Sequence, residues 1–420
     1  MRLTEEEQKI LGGKYGEALR ISLSILIDLG ELFGAEGMME VSQAHIDSSV
    51  YMVDAGLEFA ERLADLGGRV AVPTSLNISA IDLQRWKEYR VPAELLDKSR
   101  RMERAYLKMG ATPTWTCAPY QQGLIPRFGE QVAWGESNAI AFVNSIIGAR
   151  TNRYGDLMDI CAAIVGRVPR FGLHLTENRK AEVLIRLKNI THEILEDKAI
   201  YPLVGFLMGE MAGDRIAAIE GISENVRVDS LKGLSAAAAS SGAVGLFHVV
   251  GVTPEAQTLE MCLQDRRPKE VLEITPKMIR HAEERLWTAK GETADLVAIG
   301  CPHFSFMEFR ELAKLMEGKK VHSSVAFWVF TSRTTYGWIK NCGILKDLTE
   351  SGVMVFTDGC ALQYPHETWR FTVMMVNSAK LANYCYSQTG LEVAYGSLEE
   401  CVDTAVHGKI CRRDLPWRKR

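Results

Sequence analysis

The sequence predicts an α/β protein built on mostly parallel sheets covered by helices. Short β-type runs alternate with helical stretches rich in Ala, Glu, Leu and Lys along most of the chain, which is the pattern of βαβ units. Most of those runs are apolar without polar alternation, as strands buried on both faces require. At 420 residues and roughly 150 residues per domain, about three domains or one composite fold is expected.

The elements follow in order. Thr4 and Glu7 form a capping-box pattern that opens a first helix. The stretch 17–34 carries apolar residues at helical spacing and ends on Gly30 and Gly34. After the short run MMEVSQAHI comes a helix at about 55–66 and then RVAVPTSLN. Further strand-like runs lie at 112–117, 181–187, 243–251, 295–301, 324–330, 353–359 and 371–376. The alanine run 236–239, between Gly233 and Gly242, reads as tight helix packing or a glycine-bounded turn rather than a hinge. Soft internal boundaries are placed near 195–235, where the chain is more polar and less periodic, and near 290. The basic C-terminal tail, KICRRDLPWRKR, reads first as solvated and second as a contact for another chain.

Composition excludes several classes. Lys plus Arg is 49 against 53 Asp plus Glu, a net charge of −4, so the basic excess of a nucleic-acid binder is missing. A hydrophobic share of 47% supplies cores and argues against disorder. No apolar run approaches the ~18 residues of a transmembrane helix. The acidic start MRLTEEEQKIL is unlike a signal peptide, and a cytoplasmic location is expected. Nine cysteines are too few for a disulfide scaffold. In a reducing compartment they are buried small hydrophobes, or reactive and metal-binding thiols.

Ligand crevices in α/β sheets lie beyond the carboxyl ends of strands. Three strand-like runs end in cysteine: TPTWTCAPY at Cys117, DLVAIGCPH at Cys301 and VMVFTDGCAL at Cys360. Each stands beside Gly, Pro or both, residues that admit close backbone approach or fix a turn. Cys161, Cys262, Cys342, Cys385, Cys401 and Cys411 are instead assigned to packing. Three thiols without any C-x-x-C do not suit a structural zinc site. They suit an iron–sulfur cluster with one open iron corner acting as a Lewis acid. Their separations, 184 and 59 residues, are unlike the close ligand runs of electron-transfer ferredoxins.

Polar groups gather at the same kind of position. His45, Asp47, Ser48, Ser49 and Asp54 follow one run, and Thr74, Ser75 and Asn77 end another; helix capping is the plainer reading of both. Glu136, Ser137, Asn138, Asn144, Ser145, Arg150, Thr151, Asn152 and Arg153 crowd 18 residues, 136–153. Neutral hydrogen-bonders with an arginine suit a small carboxylate or phosphate, although a polar surface helix has the same composition. Ser332 with Arg333 and Ser378 with Lys380 offer anion-binding groups after two further strands.

The runs VSQAHID, DAGLEFAERLADLG, TSLN, TCAPY, GEQVAWGESNAIAFVNSIIGARTNRYGD, GLHLTENRK, GCPHFS, FTDGC and NSAK resemble the large subunit of aconitase X enzymes over nearly the whole chain. That resemblance implies three α/β/α domains, with a fourth, swivelling domain absent from this chain and supplied as a small subunit. It implies an iron–sulfur cluster held by Cys117, Cys301 and Cys360, with 4Fe–4S expected in preference to 2Fe–2S. It implies a hydro-lyase dehydrating a small hydroxy acid. Catalytic roles fall to Glu136, Ser137 and Lys380. Substrate contacts fall to Ser48, Ser49, Val50, Asn77, Ile78, Arg150, Ser332 and Arg333. The motif contexts favour cis-3-hydroxy-L-proline as substrate, with mevalonate 5-phosphate as the alternative. In the aconitase superfamily the base is commonly a serine of the swivelling domain, which would place it outside this chain. A non-catalytic or electron-transfer iron–sulfur subunit is the rival of another class.

Overall fold

The structure is a computed structural model and describes residues 1–418. It divides into two compact units, Met1–Lys180 and Ala181–Arg420.

The first unit is organised by a parallel sheet. Its strands are β2 (Ala44–Ile46), β3 (Thr74–Leu76) and β4 (Ala133–Trp134), in the order β3-β2-β4. Strands β1 (Met38–Glu40) and β5 (Arg167–Pro169) form a separate antiparallel pair. The capping box at Thr4 forms as the sequence indicates, and the second helix spans Glu17–Leu32. The run 112–117 is not a strand. It touches β3 through one bridge, Thr112 to Ser75, and through Thr116 N–H to the Leu76 carbonyl at 3.2 Å. Between these the Thr114 hydroxyl meets the Leu76 backbone in place of a main-chain group, and Trp115 takes φ 43. That backbone turn breaks the ladder two residues before Cys117.

The second unit contains two parallel sheets. One comprises β6 (Val183–Leu187), β7 (Ala217–Glu220), β8 (Phe247–Val249) and β9 (Glu270–Ile274), in the order β8-β7-β6-β9. The other comprises β10 (Leu296–Ile299), β11 (Ala326–Phe330), β12 (Val353–Phe356), β13 (Val373–Val376) and β14 (Glu392–Tyr395), in the order β12-β11-β10-β13-β14. Every pairing in both is parallel. Buried Val297, Ile299, Phe327, Val329, Val353 and Val355 join helix residues in one core, as strands buried on both faces should.

The stretch 195–235 holds a helix buried almost all round, Ile200–Ala212, packed on the helix Val228–Ser241. The alanine run therefore is helix packing. Gly205 sets the spacing: a Cβ there would lie 2.2 Å from the Leu234 carbonyl oxygen.

Two expectations are corrected. The C-terminal tail is docked rather than solvated. Trp417 is 1% exposed, and the Arg418 guanidinium pairs with Glu283 and Glu400, so burial of an indole and two ion pairs hold it down. Cys342 is exposed and Cys411 partly so; Cys342 caps the end of the helix Arg333–Asn341, outside any core. Cys161, Cys262, Cys385 and Cys401 are buried as packing residues.

Substituting Gly205→Ala should force the two helices apart and cost about 1–3 kcal/mol, the usual range for overpacking. Denaturant unfolding measures this; a variant as stable as the parent would show that the contact is looser than described.

Candidate functional site

In both units the chemically useful residues come from loops that follow parallel strands. In the first unit β2 is central and its neighbours lie on either side, which makes its carboxyl end a topological switch point. Ser48, Ser49 and Val50 follow β2, Asn77 and Ile78 follow β3, and Glu136 and Ser137 follow β4. Main-chain bonds hold these loops together: Asn77 N–H donates to Ile46 O at 2.9 Å, and Gly135 N–H to His45 O at 2.7 Å. Cys117 joins them, because Asn138 Nδ2 donates to its carbonyl at 2.9 Å.

The 47–49 loop hangs on one carboxylate. Asp159, from the helix Met158–Val165, accepts from Asp47 N–H at 2.6 Å, Ser48 N–H at 3.0 Å and the Ser48 hydroxyl at 2.8 Å. Burial pushes Asp159 up to about 6, against the lowering effect of those donors. Tyr106 closes the loop by donating to Ser48 O at 3.0 Å. The Ser48 and Ser49 hydroxyls thus serve the loop, Ser49 donating to Ile46 O. Asn77 Nδ2 donates to Asp47, while its Oδ1 is buried with no protein partner.

Glu136 stands at φ 69, ψ 126 and caps the helix Ser137–Phe142 by accepting from Ala139 N–H at 2.7 Å. Such strain in a non-glycine residue concentrates at functional positions. The helix passes directly into a π-helical turn, Val143–Ile147, another feature frequent at such sites. Asn144 within it bonds both backbone groups of Thr151, so it shapes the loop. Buried Arg179 donates to Asn144 and to the Ala149 and Leu173 carbonyls. Arg150 is not brought to the carboxyl ends by its backbone, which runs beside residues 130–132 ahead of β4. Its Nε is buried without a partner.

In the second unit the five-stranded sheet also has a switch point. From central β10 the chain proceeds outward to β11 and β12, then returns to β13 and β14 on the other side. Cys301 follows β10, Ser332 and Arg333 follow β11, Cys360 follows β12, and Ser378 and Lys380 follow β13. A cavity of about 380 Å³ lies at the β10/β13 switch, lined among others by Cys301, Pro302, Asn377, Ser378, Ser397 and Lys232. That volume suits a small ligand. Ser332 and Ser378 cap helices, and Lys380 lies in the first turn of the helix Ala379–Thr389. There the helix N-terminus adds to its attraction for an anion. Arg333 forms a two-bond pair with buried Asp358, 2.7 Å for each, and so anchors the loop before Cys360.

The cysteines share a local signature that motif reading missed. Trp115 (φ 43) lies two residues before Cys117, Gly300 (φ 95) immediately before Cys301, and Asp358 (φ 64) two before Cys360. At Gly300 a Cβ would lie 2.2 Å from Phe330 O, so only glycine lets β10 end there. None of the three cysteines is in a disulfide. Among the described residues, no three His, Cys, Asp or Glu side chains gather within either unit as a metal site. Asp159, Tyr106, Arg179, Asp358 and Lys232 were also missed; their partners lie far away in sequence, and only the Asp-Gly before Cys360 carried a local signal.

Comparison with known proteins gives these sites a context. Residues 1–177 match the family model described as Aconitase X first domain, 181–284 the second domain and 294–407 the third. The chain belongs to the aconitase X family. It is 42% identical to a cis-3-hydroxy-L-proline dehydratase of Pseudomonas aeruginosa, over 97% of this chain and 70% of that protein. It is 38% identical to one of Hypocrea jecorina, over 97% and 69%. It is 36% identical to a phosphomevalonate dehydratase large subunit of Methanosarcina mazei, over 97% and 98%. The crystal structure of Thermococcus kodakaraensis aconitase X in its holo-form superposes with a TM-score of 0.86 at 31% identity, covering 96% of this chain and all of that one. The α/β, mostly parallel architecture is therefore that of aconitase X. No helix among the described residues is long and apolar enough to cross a membrane.

His45 makes a testable contribution to this site. Burial lowers it from 6.5 to about 4, with Glu136 pulling the other way; Nδ1 meets the Ser75 hydroxyl at 2.8 Å. Because its folded value is depressed, the unfolded chain takes up the proton first as pH falls. The stability His45 confers is complete above pH 6.5 and lost on descent towards pH 4, by something on the order of 3 kcal/mol. Asp159 has the opposite sign: its contribution is present below its ordinary 3.8 and lost as pH rises through about 6. Comparing wild type with His45→Gln in denaturant unfolding from pH 7 to 4 isolates the histidine. The wild type should lose stability more steeply, and parallel curves would refute the assignment.

Proposed function

We propose that this chain is the catalytic large component of a dehydratase that removes water from a small hydroxy acid, with cis-3-hydroxy-L-proline as substrate. The observation that carries the proposal is its identity of 42% and 38% to two cis-3-hydroxy-L-proline dehydratases over 97% of the chain. The Asn77–Asp47 pair supports it. A buried acceptor oxygen without a partner beside a carboxylate suits a protonated ring amine, whereas a phosphate would meet repulsion there.

The donor chemistry fits an iron–sulfur cluster on Cys117, Cys301 and Cys360: none of the three is in a disulfide, Cys301 and Cys360 stand in loops beyond strands, Cys117 stands in the loop that has left β3, and none lies in a helix interior. Such a cluster, 4Fe–4S in preference to 2Fe–2S, would supply Lewis acidity for departure of the hydroxyl. The protein's own part is positional and electrostatic. Lys380 at its helix N-terminus attracts the substrate carboxylate. Glu136 and Ser137, hydrogen-bonded to each other at 3.3 Å, direct the hydroxyl and can return a proton to the leaving oxygen so that it departs as water. Ser48, Ser49, Val50, Asn77 and Ile78 form the wall that orients the ring. Ser332 and Arg333 shape the Cys360 side, and Arg150 is a further cation for an anionic group. The proton on the neighbouring carbon is taken by a base on a small partner subunit carrying the swivelling domain, in a cytoplasmic heteromer.

A second reading is dehydration of mevalonate 5-phosphate. It is favoured by the 36% identity to the Methanosarcina mazei large subunit across 98% of that protein.

The test is anaerobic purification with the small partner, iron and sulfide analysis, and assay on both compounds. Turnover of cis-3-hydroxy-L-proline is expected, with the chain by itself nearly inactive. Cys301→Ser should lower activity by at least about 100-fold, since loss of a ligand exceeds the ~10–100-fold of outer contacts. Preference for mevalonate 5-phosphate would overturn the substrate choice. Full activity of Cys301→Ser would overturn the cluster.

A further inference from the structure

Cys301 and Cys360 follow strands that are not neighbours, since β11 lies between β10 and β12. The His303 side chain spans that gap. His303, two residues after Cys301, is 1% exposed, and its Nε2 lies 2.9 Å from the carbonyl oxygen of Gly359, the residue before Cys360. A carbonyl only accepts, so the proton sits on Nε2 and the ring donates.

The backbone that carries this imidazole is itself held. Lys232, from the helix Val228–Ser241, donates to the His303 carbonyl oxygen at 3.1 Å. Its ammonium is almost fully buried and pairs with Glu308, and with Asp229 at 3.4 Å. Burial opposes its charge, but the two carboxylates prevail and raise its pKa. Glu308 also accepts from Ser305 N–H at 2.7 Å, and the Ser305 hydroxyl donates to Asp229 at 3.0 Å. The segment 301–305 is thus tied at its middle and its exit. On the other side, Asp358 is fixed by Arg333.

We propose that His303 is a positioning residue, which sets the placement of the Cys360 thiol relative to Cys301 through the Nε2–H···O=C bond to Gly359, with Lys232, Glu308 and Asp229 holding the histidine in register. The inference rests on the cluster reading given above. Polar contacts of this outer kind orient ligands and tune what they hold. A merely structural histidine would affect folding without selectively affecting the cluster.

The experiment compares His303→Leu, His303→Gln and Cys301→Ser, each purified anaerobically with the partner subunit. Iron and sulfide content, visible absorption and the rate of bleaching in air are measured, with circular dichroism as the folding check. The leucine variant should fold but bleach roughly 10–100-fold faster than wild type, with a shifted absorption band. The glutamine variant, whose amide N–H can reach the same carbonyl, should restore most of the difference. Wild-type spectrum and bleaching in the leucine variant, with cluster lost in Cys301→Ser, overturn the role of His303 and leave the cluster reading intact. Full cluster in Cys301→Ser overturns that reading itself. An independent measurement needs no folded leucine variant. In ¹⁵N-histidine-labelled wild type, the ring signals absent from His303→Gln should report a proton on Nε2; a proton on Nδ1 only would overturn the proposal.

Discussion

In a parallel sheet all strands point the same way, so their carboxyl ends, and the loops leaving them, line one edge. This constraint governs where chemistry can occur in the present chain. Each unit has a central strand whose neighbours lie on either side, β2 in the first and β10 in the second. The loops on the two sides part at that point and leave a crevice. Ser48, Asn77, Cys117 and Glu136 gather at one such edge, and Cys301, Arg333, Cys360 and Lys380 at the other. The fold supplies the edges; local backbone conformation decides what is presented on them.

That local conformation is costly and is held in place by buried polar contacts. Residues with positive φ stand within two positions of each cysteine, and Glu136 is likewise strained. Strained non-glycine residues cost of order 1–3 kcal/mol each and persist only when their surroundings fix them. Here the surroundings are Arg333 on Asp358, Asp159 on the 47–49 loop, Lys232 on the His303 backbone, and Arg179 on the turn after Asn144. Each is a charged group satisfied by several partners, the condition under which burial is tolerable. Removing one partner would leave a buried charge or carbonyl unmet, so these residues act together with the loops they hold.

The same pattern changes how several polar side chains are understood. Ser48, Ser49, Ser332 and Ser378 lie at strand ends as a site requires, yet their hydroxyls hold loops or cap helices. The Glu136 carboxylate does the same for the helix Ser137–Phe142. The comparison with dehydratases supplies the reaction class.

The sequence by itself determined four of the five strands of the second unit's main sheet, all but β14, together with the capping box at Thr4 and the helix-packing role of the alanine run. These are legible because apolar runs, caps and glycine or proline flanks are local patterns. It did not determine that 112–117 leaves the ladder, since a threonine side chain replacing a backbone partner looks like any β-branched residue in a strand. Nor did it determine that the tail docks, because Glu283 and Glu400 lie more than a hundred and about twenty residues from Arg418. Only the tertiary structure decided that Asp159, Lys232 and His303 matter. Their roles depend on partners 56 to 112 residues distant, and a buried hydrogen bond leaves no mark in the chain until folding brings its two halves together.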